Sequence, residues 1–212
     1  TLKVGSVPST PTNVTFTQTK LTNAGGTSVN VKWTDVATNE TGYRIEVREA
    51  GASAWTYAGS TKADKQLFAY NDFTPGVAYE CRVRAENASG ASAWATGSFT
   101  ALTAPTAKVA RYDASAGSAT LTLAAPALAT GMRVEVSATP FTTEAALPAS
   151  QLFYANSPKA TTTSLTIKNL EAGTTYYCRV YATNAAGVSD WCDTLTLKVG
   201  SVPSTPTNVT FT

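Results

Sequence analysis

The chain has 212 residues, 16 of them basic and 14 acidic, with no histidine and only 14% charged side chains; that length suits two domains of about 100 residues, each able to bury its own core. The missing histidine excludes histidine-based acid–base chemistry, Ser-His-Asp and Cys-His arrangements, and histidine metal ligation. A net charge of +2 without a basic cluster gives no footing for nucleic-acid binding, and no apolar run approaches the roughly 20 residues of a membrane span.

In chain order, the first feature is a repeat. Residues 1–17, TLKVGSVPSTPTNVTFT, recur unchanged as residues 196–212. Neither strand nor linker physics demands identity at every position, so the repeat points to recent tandem duplication. The expectation is one 195-residue period of a longer array. The alternatives are a duplicated end, or ends exchanged between small protomers. Residues 1–7 then read as the tail of a preceding repeat with its linker, and 200–212 as a linker and the first strand of the next. A weaker repeat lies inside the period at an offset of 97 residues. It carries Phe73, Tyr79, Cys81, Arg82 and Trp94 onto Leu170, Tyr176, Cys178, Arg179 and Trp191. Two diverged domains follow, 8–103 and 104–199, with proline-stiffened joints at Pro105 and Pro203.

Along each domain the hydrophobic period is two. Val29, Val31 and Trp33 alternate with polar neighbours, as do Tyr43, Ile45 and Val47, and then Tyr79, Cys81, Val83 and Ala85. Ala119, Leu121 and Leu123 begin the same series in the second half, followed by Met132, Val134 and Val136, then Tyr176, Cys178, Val180 and Ala182. Such alternation marks half-buried strands. No convincing amphipathic helix is present, and the nearest candidate, 142–149, meets Pro148. Short strands between Gly, Pro, Asn and Ser turns predict an all-β chain of two seven-stranded antiparallel sandwiches in tandem.

The tract Asp72-Phe73-Thr74-Pro75-Gly76-Val77-Ala78-Tyr79, then Arg82 to Asn87, Gly90 and Ser92-Ala93-Trp94, resembles the E-F-G end of a fibronectin type III domain. Trp33 stands where that family keeps its strand-B tryptophan, and Trp33-Thr34-Asp35 with Asn39-Glu40-Thr41-Gly42-Tyr43 is similar to the B–C segment of bacterial members. Leu123 and Met132 replace the tryptophan and the strand-C tyrosine in the second half. The resemblance implies an immunoglobulin-like sandwich. It makes Tyr79 and Tyr176 tyrosine-corner residues, and it implies that Trp94 stacks on Arg82 and Arg84, and Trp191 on Arg179.

Few residues could carry chemistry. Cys81 and Cys178 share an inward strand position, where a buried thiol acts as a small hydrophobe. Cys192 is extra, and a Cys178–Cys192 disulfide is conceivable as a diagonal cross-strand pair. Asp35, Asn39 and Glu40 lack the ligand density of a calcium loop, and a turn held by Asx hydrogen bonds is expected there. Trp55 and Tyr57 on a presumed edge strand are the candidate ligand surface, with carbohydrate as the ligand class. No cofactor, metal or catalytic residue is expected, and the chain is not expected to be an enzyme.

The reading is a secreted or surface-displayed structural repeat forming a fibre, stalk or adhesin shaft, or a filament. Its partners are neighbouring copies in cis and laterally associated chains. The alternatives are a ligand- or carbohydrate-binding adhesin module, and spacer domains of a secreted polysaccharide-degrading enzyme.

Overall fold

The period-two segments form strands because alternate side chains of a strand point to opposite faces, so one row can enter a core while the other meets water. The computed structural model describes residues 5–20 and 27–200. The segments expected as the end of a preceding repeat (1–4), the Gly25-Gly26 turn, and the linker and next strand (201–212) lie outside these. The described residues fall into two compact units, 5–103 with 184–190, and 104–183 with 191–200.

The first unit holds β1 (Thr12–Lys20), β2 (Thr27–Thr34), β3 (Gly42–Glu49), β4 (Thr56–Lys62), β5 (Leu67–Tyr70), β6 (Ala78–Asn87), β7 (Gly90–Ala91) and β8 (Ala95–Thr100). One antiparallel sheet runs β1–β2–β5. The other runs β4–β3–β6, with β7 and β8 as two pieces of a single edge strand along β6. Counted that way the unit is a seven-stranded sandwich. Val31, Trp33, Tyr43, Ile45, Val47, Cys81, Val83 and Ala85 are its buried core, and the Trp33 and Tyr43 rings lie 5.1 Å apart. Full burial of each large side chain stabilises by about 1.5–3 kcal/mol. β4 carries an irregularity in its pairing with β3 between Ile45 and Glu46. The glycine beside it, Gly59, lets the Phe68 ring approach; a Cβ there would meet that ring at 2.5 Å.

The second half of the chain repeats the plan with β9 (Thr106–Asp113), β10 (Ser118–Ala124), β11 (Gly131–Ser137), β12 (Tyr154–Asn156), β13 (Ser164–Ile167), β14 (Thr175–Asn184), β15 (Gly187–Trp191) and β16 (Leu195–Lys198). Its sheets are β9–β10–β13 and β12–β11–β14, with β15 and β16 along β14. Leu121, Leu123, Met132, Val134, Ile167, Tyr176 and Val180 fill the core. The 142–149 segment forms no helix; a single 3-10 turn, Ala149–Gln151, follows Pro148.

In both units a tyrosine of the long central strand reaches back to the chain before it. Tyr79 Oη accepts the Thr74 N–H at 3.0 Å, and Tyr176 Oη accepts the Glu171 N–H at 3.1 Å. Each bond satisfies a backbone donor at the corner where the chain crosses between sheets.

Candidate functional site

The outward face of β3, β4 and β6 carries every arginine of the first unit, because those side chains alternate with the core row. Trp94 is stacked by Arg82 and Arg84, whose guanidinium carbons lie 4.2 and 4.5 Å from its ring centre. Arg48 and Arg82 both lie 4.3 Å from the centre of Trp55, and Arg44 lies 4.7 Å from that of Tyr57. Trp55 and Tyr57 therefore stack on different arginines. Trp55 is half-buried and engaged in the ladder, whereas Tyr57 is 53% exposed. Glu46 sits between Arg44 and Arg82, accepting from both at 2.8 Å. Burial alone would push its carboxyl up, but the hydrogen bonds from Arg82 and Arg44 outweigh it and hold the group below the usual carboxylate range. A shallow groove of about 290 Å³ runs beside Trp55, lined by Arg48, Glu80, Thr96, Gly97 and Ser98.

The equivalent face of the second unit is covered. The segment between β11 and β12 lies over it, so Arg179 is sandwiched between Phe141 and Trp191 at 4.0 and 3.9 Å from their ring centres. Arg179 donates twice to Glu135, at 2.9 and 3.2 Å, and to the carbonyls of Thr143 and Ala145. Trp191 Nε1 donates to the Glu144 carbonyl at 2.8 Å. Glu135 is fully buried and Arg179 nearly so. This arrangement fixes a loop and leaves no open platform.

Two features at the ends of the first unit were not singled out from sequence. Asn39 and Asn87 each donate their amide Nδ2 to the Ser6 carbonyl at 2.9 Å, which ties residues 5–7 to the unit that follows them. At the other end Gln18, 6% exposed, accepts the Leu102 N–H at 2.7 Å and donates to the Leu102 carbonyl at 3.2 Å. Its side chain thus takes the place of a neighbouring strand, just before the passage at Thr103.

The one group of oxygen ligands among the described residues that could hold a cation is Asp35, Glu40 and Asp64, whose carboxylate oxygens lie within 4.8 Å of one another. Asp35 also accepts the Ala37 N–H at 3.0 Å, closing an Asx turn.

A family model described as "Fibronectin type III domain" matches residues 9–100 and again 103–198. The chain belongs to the fibronectin type III family. Among solved structures it is similar to the chicken CNTN1 FN1–FN3 domains, with 16% identity over 93% of this chain and 69% of that one, at a TM-score of 0.46. It is also similar to the two fibronectin type III domain segment of chicken tenascin, with 15% identity over 90% of this chain and 99% of that one, at a TM-score of 0.40.

Within this fibronectin type III pair, Trp33 and Leu123 hold the same strand-B core position, and Tyr43 and Met132 the same strand-C position, all buried. Burial pushes the thiols of Cys81 and Cys178 up to about 12, so both remain protonated and inert. The Cys178–Cys192 disulfide is absent from the structure. Cys178 pairs with Leu195 in the register of β14 and β16, while the Cys192 N–H bonds to the Val180 carbonyl and its thiol donates to the Asp193 carbonyl at 3.3 Å. The two cysteines are therefore diagonal, a separation at the margin of disulfide reach. No helix of the described residues is long and apolar enough to cross a membrane.

Proposed function

We propose that this fibronectin type III pair is a non-catalytic structural unit of a secreted or surface-displayed repeat protein, serving as one period of a stalk, fibre or adhesin shaft. The observation that carries the reading is the identity of residues 1–17 with 196–212, the pattern expected of one period of a tandem array. The domain limits follow as 8–103 and 104–199. The clamp on Ser6 supports it. Ser201 repeats Ser6 in sequence, so in an array each linker would meet the Asn39 and Asn87 amides of the next copy. A linker hydrogen-bonded to one domain has fewer conformations than a free tether, and the array resists coiling. Strands rise about 3.3 Å per residue, which gives a sandwich roughly 30 Å long and a period of about 60–80 Å. Lateral association of such chains is the route to a filament.

Imaging of the native array by electron microscopy tests this. The expected result is a straight shaft with that axial period, and loss of straightness in the Asn39→Ala, Asn87→Ala double variant. A flexible coil in the unaltered protein contradicts the reading.

A second reading, a ligand-binding adhesin module, is favoured by the groove beside Trp55. Glycan binding that disappears in Trp55→Ala is the signature it requires.

A further inference from the structure

The repeat makes Gly200 and Gly5 the same residue of the period, present once where a copy ends and once where a copy begins. At the end, the second domain holds its own chain as far as this glycine. Val199 is 4% exposed. Its N–H donates to the Thr174 carbonyl at 3.0 Å, and its carbonyl accepts the Gly173 N–H at 2.9 Å. The Tyr112 hydroxyl then donates to the Gly200 carbonyl at 3.3 Å.

At the beginning, the first domain takes hold at the same residue. A Cβ on Gly5 would collide with Ser89 Oγ, and a Cβ on Gly90 would meet Val7 Cγ1 at 2.9 Å. Between those two contacts the Ser6 carbonyl accepts from Asn39 and Asn87, and its Oγ accepts from Asn39 Nδ2 at 3.2 Å. In an array, the carbonyl held by Gly173 and the one held by the two asparagines of the next copy stand two residues apart. Two residues span at most about 7 Å, so no residue between the copies is left free.

The glycine supplies a second observation. At position 200 a Cβ would meet nothing within 4 Å, so the domain that ends there does not require glycine. At position 5 Ser89 excludes any side chain. Val7, two residues on, is 53% exposed, an apolar side chain at the mouth of the joint.

We propose that the end of each copy docks directly on the start of the next. Tyr112 and the 171–174 turn of one copy meet Val7 and the 87–90 turn of the following one, with the shared glycine at the contact because no side chain fits beside Ser89. This rests on the array reading and names the partner of that surface, a second copy of this chain in cis. A joint gripped from both sides within two residues has no swivel, so each copy sets the direction of the next.

The test uses a recombinant two-period chain, residues 1–195 followed by the 212-residue chain, so the joint is present whatever form the native protein takes. Calorimetry compares it with the 212-residue chain alone. The heat of the first-domain transition is expected to divide. The leading copy melts as in the shorter chain, and the copy behind the joint melts higher by on the order of 5 °C. A Ser-Ser-Gly insertion after the joint glycine keeps every contact within each domain, a glycine facing Ser89 included, and is expected to merge the two transitions again. Gly200→Ala lowers the higher transition of the two-period chain and leaves the melting of the 212-residue chain unchanged. A first-domain transition that does not divide overturns the proposal and makes the joint a tether. A division that survives the insertion overturns it as well, because the gain then arises within the domain. Either failure is distinct from failure of the array, which the mass of the native protein decides.

Discussion

Arg82 and Arg179 stand 97 residues apart at matching positions of two related domains, yet their surroundings differ. The Arg82 side chain is 24% exposed and shares Glu46 with Arg44. The Arg179 side chain is 3% exposed and faces a Glu135 with no exposure at all. Removing one partner of a buried pair strands the other charge, which costs about 3–5 kcal/mol. At Glu46 the second arginine, Arg44, stays in place and Arg82 is partly open to water, so the cost falls to about 1 kcal/mol. Arg179→Ala is therefore expected to destabilise the second domain several times more than Arg82→Ala destabilises the first. Urea unfolding of each variant, with the two domain transitions resolved, measures this; equal costs would contradict the burial argument. The arginines and tryptophans were legible in sequence because they alternate with core residues. The cover over Arg179 was not. Residues 138–148 have no period, and apart from the Phe141 ring their contacts to Arg179 run through the carbonyls of Thr143 and Ala145, which every residue type offers.

Among elements, the long strands were legible and the short ones were not. β6 and β14 each place four inward residues at a spacing of two, enough to read the period. β7 has two residues and β12 three, too few to carry one. The strand register also sets the cysteine chemistry. Cys81 on β6 and Cys178 on β14 point into cores, whereas Cys192 lies just past β15 and is half-exposed. At pH 8 the folded protein is expected to release one equivalent in a thiol assay, from Cys192, and three in denaturant. A single thiol in denaturant would show instead that Cys178 and Cys192 are bridged in solution.

At the scale of the whole molecule, the fibronectin type III pair was legible because two levels of repetition are written in the sequence, one unchanged and one diverged. The diverged repeat predicted two sandwiches. The joint was less legible. Asn39, Asn87 and Gln18 hold the two ends of the first domain through side-chain amides bonded to backbone, and an isolated asparagine or glutamine in a threonine-rich chain gives no sign of such a partner. The unchanged repeat predicts the array, on which the structural role depends. The most direct measurement is the mass of the native protein from its source under denaturing conditions, with peptide mapping. The account predicts a mass several times 22.1 kDa with peptides recurring every 195 residues. A denatured mass near 22.1 kDa would contradict it and would make the repeated ends a means of strand exchange between small protomers.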